Sequence, residues 1–548
     1  MFKKYLIFGI LILFVVNLIQ AFFTPISEDE AYYWLWSQHL DWGYFDHPPM
    51  VAWWISVGYI FFQNELGVRF LTVLLNSLSF YFLWQILKPK IFPEIKLFFL
   101  VLSSILVIQV FGFLSTPDAP LLFFTILYLF SLQKFLKKNS IISTVTLSIS
   151  FAGLMYSKYH GILVILFTLL PIMGFWWKNP KFYLAILGSL ILYSPHINWL
   201  IQHDFLPIRY HFLERSADES FELRKLTNYI GIYILGAAPL LTYFIFTSII
   251  KFKSKDAFQK SIWWLAVLPG IFFFFSIFKD NVQPQWLLIS FVSMGLLTYF
   301  HYSTKSNLRV IYHLGIISFA LIISLRIVLM IPSISPFQKN KNFAFSVSLF
   351  NPINPIFEKY QEASVYKFYN TKSNVAVHRT LGNRKSQFNL WKWEENYFTK
   401  SVSYISPWIK SQKSFIGYKN RDYHVKEIQN YQTFDLIEIE TIETLTTKPN
   451  ETIQLGLTIT NLHAHSISVG KNTLFQLNVN YYKYLQYEIE YRQEIPLEKF
   501  TLQPGESKYL KITFKNTPKS GNYKACFGLN YAPIGTSYLS KPIEMKSY

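Results

Sequence analysis

The chain has 548 residues, of which 51% are hydrophobic and 19% aromatic, and its mean hydropathy is +0.24. Only 15% of the residues are charged, against about 25% in typical soluble domains, so the composition excludes an ordinary soluble enzyme and a disordered protein. The formal net charge of +19 would suit a nucleic-acid-binding protein. The positions of the basic residues favour a membrane topology instead.

Apolar runs recur from the N-terminus to about residue 331, and each is long enough to cross a hydrocarbon core of about 30 Å as a helix. Eleven spans are predicted, near residues 5–23, 66–87, 96–114, 119–135, 140–157, 160–177, 181–200, 229–250, 262–278, 284–302 and 308–331. The first run predicts an anchor, because it is longer than a usual signal-peptide core and no small-x-small cleavage site follows it. A cleaved signal peptide is the alternative.

The basic residues occur in alternate loops between these runs. They are Lys3, Lys4, Lys88, Lys90, Lys96, Lys134, Lys137, Lys138, Lys178, Lys181, Lys251, Lys253, Lys255, Lys260, Lys305 and Arg309. By the positive-inside rule the N-terminus and these loops are cytoplasmic, and an odd number of spans places the C-terminal region outside, in a bacterial periplasm or an ER lumen. The single Cys526 cannot form an intramolecular disulfide, and the composition leans towards a bacterial plasma membrane.

The predicted fold class is an α-helical polytopic membrane protein followed by external domains. The transmembrane domain covers residues 1–335, because hydropathy falls and charge rises after that point. Residues 336–430 mix a helical start with short β-like pieces and predict a small α/β region. Residues 431–548 contain alternating runs separated by turns, which predicts an immunoglobulin-like β-sandwich that binds a partner or glycan or acts as a spacer.

Unusual polar residues cluster in the loops that this topology places outside. They are Asp29 and Glu30 in SEDEAYYW, Asp46 and His47 in YFDHPPM, Asp118 in STPDAP, Lys158 and His160 in SKYHG, and Arg209 and His211 in QHDFLPIRYH. A carboxylate in a partly dry site can take a proton from an attacking hydroxyl, and Asp29 is the residue predicted for that role. The sequence therefore predicts a chemical site on the outer face.

Two arginines, Arg69 and Arg326, are expected near the outer ends of apolar spans. A guanidinium buried there is costly, so each is a functional-site hypothesis by default. A phosphate is the natural partner, because arginine grips it with two parallel hydrogen bonds. The alternative is that both side chains extend to the lipid headgroups.

Other features of this face have simpler interpretations. Asp118 could act only as a helix cap. An interfacial aromatic belt would account for the tryptophans of the first loop and its flank, which are Trp34, Trp36, Trp42, Trp53 and Trp54. Histidines could supply metal ligands, namely His47, His160, His203 and His211, but no two have the tight spacing of a zinc site. No cofactor is predicted, and a divalent metal is left as an alternative.

Five motifs, in order, resemble the GT-C integral-membrane glycosyltransferases, in the branch that contains protein O-mannosyltransferases and bacterial aminoarabinose transferases. The resemblance covers roughly residues 1–335. It is carried by DEAYYW from Asp29, YFDHPPM from Tyr44, GVRF around Arg69, TPDAPLLFF around Asp118 and SKYHGIL around Lys158. It implies transfer of a sugar from a polyprenyl-phosphate carrier to an acceptor on the outer side of the membrane.

The resemblance also implies roles for individual residues. Asp29 would activate the acceptor, and Glu30 and Asp118 would support that carboxylate or hold the acceptor. His47, Arg69 and Lys158 would lie near the lipid phosphate. His47 stands where aminoarabinose transferases have a lysine, and a neutral histidine would bind phosphate more weakly.

Electrostatic reasoning agrees with this chemistry. Polyprenyl phosphate is a competent leaving group, so the site needs cations around the departing phosphate more than an acid, and direct displacement would invert the anomeric centre. A bacterial envelope glycan or lipid is the favoured acceptor, with protein as an alternative. A lipid or sugar transporter without transferase activity and a non-enzymatic envelope protein are the competing functions; transporters usually place polar or broken segments near the bilayer midplane.

Overall fold

The computed structural model describes every residue except 1, 212–221, 279–280, 379, 381–383, 442–443, 483–488, 518, 538 and 548. The chain forms two compact units, Met1–Asn340 and Lys341–Tyr548. The division lies close to the domain boundary predicted at residue 335. Each unit has its own buried apolar core.

The first unit is helical. Its helices are α1 (Phe2–Phe23), α2 (Glu28–Ser37), α3 (Met50–Phe61), α4 (Glu65–Leu87), α5 (Phe92–Ser103), α6 (Leu106–Val110), α7 (Asp118–Lys138), α8 (Ile141–Ser157), α9 (Gly161–Leu169), α10 (Met173–Trp176), α11 (Pro180–Gln202), α12 (Leu206–Arg209), α13 (Leu223–Ala237), α14 (Thr242–Lys251), α15 (Ala257–Ser276), α16 (Leu288–Tyr302) and α17 (Arg309–Met330). The next helix, α18 (Gln338–Ser348), begins in this unit and ends in the second.

Six of the described helices are long and apolar enough to cross a membrane, namely α1, α4, α7, α11, α15 and α17. The pair α13 and α14, bent by 94°, makes a seventh if it is one broken span. The other predicted spans fall on shorter or interrupted helices: α5 with α6, α8, α9 with α10, and α16. The polytopic helical class is confirmed, whereas the count of eleven spans is not.

The stretch after the first span is helical rather than the loop expected from its composition. Ser27 caps α2: its Oγ accepts a hydrogen bond from the amide of Glu30 at 3.2 Å, and the Glu30 carboxylate accepts one from the amide of Ser27 at 3.1 Å. This reciprocal capping box needs only the Ser-x-x-Glu spacing. It fixes the first turn of α2, which carries Asp29 and Glu30.

Close backbone contact between α3 and α4 sets the position of the next site residue. A Cβ atom on Gly58 would lie 2.3 Å from the carbonyl oxygen of Gly67, and one on Gly67 would lie 1.6 Å from that of Phe62. Only glycine permits such an approach. Arg69 lies two residues after Gly67 on α4, so this close approach of the backbones fixes the position of its Cα atom.

The interfacial belt expected from the tryptophans is largely wrong. Trp34, Trp36 and Trp54 are buried, and the ring of Trp36 stacks on Tyr44 with centroids 4.4 Å apart. Trp42 alone of the five is extensively exposed. Most of these rings thus pack in the interior of the first unit, around α2 and the segment that follows it.

The second unit is rich in β-structure. Its strands are β1 (Pro355–Phe357), β2 (Ala376–Val377), β3 (Val402–Ser406), β4 (Ser414–Ile416), β5 (Asp422–Ile428), β6 (Ile437–Glu440), β7 (Thr444–Thr447), β8 (Thr452–Asn461), β9 (Ile467–Val469), β10 (Phe475–Tyr482), β11 (Ile489–Ile495), β12 (Phe500–Leu502), β13 (Ser507–Lys515), β14 (Gly521–Tyr531), β15 (Gly535–Thr536) and β16 (Ile543–Ser547). Two helices, α19 (Tyr360–Tyr369) and α20 (Gln387–Trp391), accompany the first strands.

The strands form three sheets. The first has the order β2-β1-β3-β5-β4, with parallel pairs at β1 and antiparallel pairs at β5. The others are an eight-stranded sheet containing β10 and β14 and the three-stranded sheet β13-β8-β6. Phe514 and Phe527 meet between these two sheets at 5.7 Å, as in a β-sandwich. An α/β sheet followed by a sandwich agrees with the predicted fold class.

A buried histidine, His378, makes the stability of the second unit depend on pH. His378 Nδ1 lies 2.7 Å from a carboxylate oxygen of Glu394, which also accepts from the hydroxyl of Tyr431. Burial alone would lower the pKa of His378, but Glu394 outweighs it and raises that pKa above its ordinary value. The stabilisation by the His378–Glu394 pair is therefore complete below the pKa of histidine in the unfolded chain, about 6.5. It is lost as pH rises through the higher pKa of His378 in the folded protein.

We expect the unfolding temperature of the intact protein to fall as pH rises above neutrality and His378→Gln to flatten that dependence. Differential scanning fluorimetry in detergent over a pH series measures it. His313→Gln, at an exposed histidine of the first unit, is the control and should keep the wild-type slope. Equal slopes for wild type and His378→Gln would contradict the assignment.

Candidate active site

A buried ion pair joins α2 to α4 at the centre of the candidate site. Arg69 Nε donates to Glu30 Oε1 at 2.7 Å, and Arg69 Nη2 donates to Glu30 Oε2 at 2.6 Å. The remaining guanidinium protons go to the carbonyl oxygens of Ala21, Thr24 and Pro25. All five donors of Arg69 thus have protein acceptors, and both side chains of the pair are fully buried.

This geometry differs from the phosphate contact and from the headgroup contact expected for Arg69. The arginine joins the end of α1 to the start of α2 and holds Glu30 between them. Burial alone would raise the pKa of Glu30, but Arg69 and the amides of Ser115 and Ser27 outweigh it and hold that pKa below its ordinary value. Glu30 is therefore a fixed anion, too strongly bound to act as a base.

Asp29 lies one position earlier on the same first turn and is exposed. Successive helical residues point about 100° apart, so Asp29 and Glu30 face different sides of α2. The structure places an accessible carboxylate beside a buried one. Of the two acids in the DE pair, Asp29 has the accessibility that a base needs.

A second ion pair forms the next part of the site. Lys158, the C-cap residue of α8, places Nζ 2.8 Å from Asp118 Oδ1, and both side chains are 7% exposed. Pro117, not Asp118, is the N-cap of α7 and makes no side-chain cap bond, so the simple capping interpretation of Asp118 is wrong. Asp118 takes one of the three ammonium protons of Lys158.

The two ion pairs are joined through the backbone. The amide of Ser115 donates to Glu30 Oε1 at 3.0 Å, and its hydroxyl lies 2.8 Å from the carbonyl oxygen of Val68. Ser115 is three residues before Asp118 along the chain. A shift of Glu30 would therefore move the segment that carries Asp118.

The segment between α2 and α3 is fastened to α11. Trp199 Nε1 donates to Asp41 at 2.9 Å, and His196 Nδ1 lies 2.6 Å from the carbonyl oxygen of Trp42. Further along this segment, His211 Nε2 lies 2.8 Å from the carbonyl oxygen of Asp46. Asp46 itself is buried.

The imidazoles complete a ring of contacts. His211 stacks on His47 with centroids 5.6 Å apart, and His47 lies 6.3 Å from the ring of Tyr33 on α2. On its other side His211 meets Tyr159 at 6.4 Å, next in sequence to Lys158. The ring starts at Glu30, which contacts Ser115, and follows the chain to Asp118. Asp118 pairs with Lys158, whose chain neighbour Tyr159 contacts His211. From His211 the contacts continue through His47 and Tyr33 back to α2.

Six residues expected in the site are not members of this ring. Asp29 precedes Glu30 in the chain, Arg69 binds Glu30, and the backbone of Asp46 contacts His211. The other three are His160, Arg209 and Arg326. His160 packs between Phe273 and Trp286, at 5.6 and 5.7 Å. Arg209 ends α12 with an exposed side chain. Arg326 is buried on α17, against amide side chains.

Sequence reasoning missed three members of the ring. Tyr33 and Tyr159 lie within the quoted motifs, but their contacts with His47 and His211 join segments that are distant in the sequence and could not be read from it. Ser115 contributes a backbone amide, which any residue could provide. No residue type signals such a contact.

The described part of the chain has one group of three side chains with metal-ligand chemistry, Glu395, His463 and His465 of the second unit, with ligand atoms within 4.8 Å. The amide of Leu436 donates to His463 Nε2 at 3.1 Å, so the neutral ring carries its proton on Nδ1. That Nδ1 faces Glu395 at 2.5 Å. A metal would require an unprotonated Nδ1, and the proton instead makes this a histidine–carboxylate hydrogen bond.

Comparison with known proteins places this geometry in context. Residues 46–199 match the family model described as dolichyl-phosphate-mannose-protein mannosyltransferase. A curated protein, lipid A galacturonosyltransferase RgtD of Rhizobium johnstonii, is 23% identical over 292 residues, which are 50% of this chain and 60% of that protein. The chain thus spans 60% of the length of this relative.

Solved structures extend the likeness beyond the first loops. ArnT from Cupriavidus metallidurans superposes with a TM-score of 0.59 in the apo state and 0.56 bound to undecaprenyl phosphate. Sequence identity is 12%, and the alignment covers 77% of this chain and 98% of ArnT, which shows a shared fold. The resemblance read from the motifs is confirmed: this multi-pass membrane protein resembles the GT-C glycosyltransferases of the protein O-mannosyltransferase and aminoarabinose transferase type.

Proposed function

We propose that the protein transfers a sugar from a polyprenyl-phosphate carrier to an envelope acceptor on the outer face of the membrane. The observation that carries the proposal is the ring of contacts, which joins the buried Asp118–Lys158 pair and two imidazoles to α2, the helix whose first turn carries the accessible carboxylate of Asp29. A site for sugar transfer from a phosphate needs both parts: a base for the acceptor and cations for the leaving group.

In the proposed reaction, Asp29 accepts the proton of the acceptor hydroxyl as its oxygen bonds to the anomeric carbon. The bond between that carbon and the phosphate oxygen breaks, and polyprenyl phosphate leaves with the electron pair. Direct displacement inverts the anomeric centre. Glu30 and Arg69 do not react in this scheme; they hold α2 so that Asp29 meets the acceptor.

Lys158 supplies positive charge to the departing phosphate, since Asp118 uses only one of its three donors. His47 and His211 add ring nitrogens as further hydrogen-bonding groups. Asp118 keeps the ammonium oriented and hydrogen-bonds an acceptor or sugar hydroxyl. The acceptor is a lipid, a glycan or a protein, and the lipid A specificity in the name of the RgtD relative supports testing lipid A first.

Transfer of labelled sugar from a panel of polyprenyl-phosphate sugars to lipid A, envelope glycans and membrane proteins tests the proposal. Purified protein in nanodiscs should move label from one donor to one acceptor class with inversion. No transfer from any donor by folded protein would overturn it. The break between α13 and α14 favours a lipid or sugar transporter as the second candidate, which would move labelled donor across vesicle membranes without cleaving it.

Replacing Lys158 by Met should reduce transfer by about a hundredfold, because one charged stabiliser of a developing anion contributes on that scale. The loss should appear in kcat with any donor that has the same phosphate. Lys181→Met is the matched control, since Lys181 binds only the carbonyl oxygen of Asn139 among the described residues and should change the rate less than twofold. Asp118→Asn should also lose rate, because Lys158 loses its orienting anion. Wild-type rates for Lys158→Met would remove it from the mechanism.

A further inference from the structure

Arg326, near the end of α17, lies at a junction of three helices of the first unit. Its Nε donates to Gln20 Oε1 at 3.3 Å, its Nη1 to Gln109 Oε1 at 3.0 Å and its Nη2 to Asn17 Oδ1 at 2.7 Å. The guanidinium also lies over the ring of Phe113 at 5.2 Å. It is buried, so it does not extend to the headgroups as one sequence interpretation expected.

One branch from this junction leads to α2. Gln20 donates both to the carbonyl oxygen of Arg326 at 3.2 Å and to the hydroxyl of Thr24 at 2.6 Å. The carbonyl oxygen of Thr24 in turn accepts from Arg69, which holds Glu30. Arg326 thus supports the turn from which Asp29 emerges.

The other branch leads towards Asp118. Gln109 lies on α6, and Phe113, under the guanidinium, follows in the same segment. Two residues later Ser115 donates its amide to Glu30, and α7 then begins at Asp118. The same guanidinium therefore contacts both chain segments that deliver carboxylates to the site.

The charge of Arg326 has no carboxylate partner among the described residues; its side-chain acceptors, Gln20, Gln109 and Asn17, are neutral amides. A buried guanidinium with amide partners is costly, and an apolar side chain would be expected if only packing mattered. What arginine provides is a rigid planar fork that reaches α1 and α6 at once.

We propose that Arg326 is a positioning residue that sets the α1–α2 turn and the segment before α7 relative to each other, and so aligns Asp29 with the Asp118–Lys158 pair. It does so without contacting the substrate. This replaces the phosphate contact expected from the sequence. The kinetic consequence rests on the proposed function, whereas the structural consequence does not.

Hydrogen–deuterium exchange tests the structural part on the full-length protein in nanodiscs. The amides of Glu30 and Ser115 report the two branches, because each donates within the network. Arg326→Met should speed exchange at both amides by about tenfold, the scale of losing a buried hydrogen bond. Gln20→Leu should act mainly on the amide of Glu30 and Gln109→Leu mainly on that of Ser115, with a smaller effect at the other amide because Ser115 donates to the Glu30 carboxylate. Arg309→Met, at the other end of α17 and exposed, should affect neither.

Kinetics separates positioning from phosphate binding. Arg326→Met and Arg326→Lys should both lower kcat by tenfold to about a hundredfold, the cost of misplacing reacting groups by about 1 Å, with KM for the lipid-linked donor unchanged. Lysine should not rescue, because it lacks the fork. A raised KM that Lys restores, or unchanged exchange at both amides, would overturn the proposal. If the wild-type protein transfers no sugar, the proposed function fails, and hydrogen–deuterium exchange alone tests the positioning role of Arg326. If Arg326→Met does not fold, exchange in Gln20→Leu and Gln109→Leu tests that role.

Discussion

Replacing Asp29 by Asn should lower the rate of sugar transfer by about a thousandfold, since general base catalysis contributes roughly 10²–10⁴-fold. The amide keeps the shape of the side chain but cannot accept the proton of the acceptor hydroxyl. Asp29 is exposed and is not part of the buried ion pair, so the unfolding temperature should stay near that of wild type. Initial rates with a saturating lipid-linked donor measure the effect.

Glu28→Gln is the matched control for this prediction. Glu28 precedes Asp29 on the same helical turn and forms a surface ion pair with Lys339 at 3.4 Å, a contact of small energetic value. Its substitution should change the rate less than twofold. If Asp29→Asn transfers sugar at the wild-type rate, or if Glu28→Gln loses as much, Asp29 is not the base.

Replacing Arg69 by Met should destabilise the protein by about 3–5 kcal/mol, because the buried carboxylate of Glu30 would lose its counter-ion. Arg69→Lys should rescue little, since an ammonium cannot form two parallel bonds to Glu30 and still reach three carbonyl oxygens. Unfolding in detergent, followed by near-UV circular dichroism, measures the loss. Sugar transfer should fall with it, because Asp29 loses its fixed neighbour.

The double variant Glu30→Gln/Arg69→Met supplies the decisive comparison. Removing both charges leaves no unpaired buried ion, so it should be more stable than Arg69→Met alone. Arg224→Met is the control at an exposed arginine with a long, 3.7 Å contact to Glu222. Additive losses in the double variant would show that Glu30 and Arg69 do not act as a pair.

Helix positions followed from apolar length, but helix continuity did not. The predicted span at 96–114 is divided into α5 and α6, and that at 229–250 is bent by 94°. The composition of residues 28–37, acidic and aromatic, predicts a loop, but the Ser27–Glu30 capping-box spacing starts the helix α2 there.

Motifs identified the carboxylates and cations of the site, but not which groups pair. Glu30 and Arg69 are 39 residues apart, and Asp118 and Lys158 are 40 apart, so neither pair has a local signal. Arg69 was expected at phosphate because arginine favours it, yet carbonyl oxygens at the end of α1 use the same donors. Pairing partners of a long side chain are decided by tertiary packing, which composition cannot specify.

The shared use of Glu30 constrains the order in which the protein assembles. Its carboxylate closes the cap of α2 with Ser27, which can happen as soon as that segment is synthesised. Arg69 arrives only with the next long span, α4. Until that span arrives, burial of the unpaired Glu30 carboxylate would carry a large desolvation cost, so α2 is expected to keep its acidic turn in contact with water. Arrival of α4 supplies the counter-ion with which α2 can pack into its buried position.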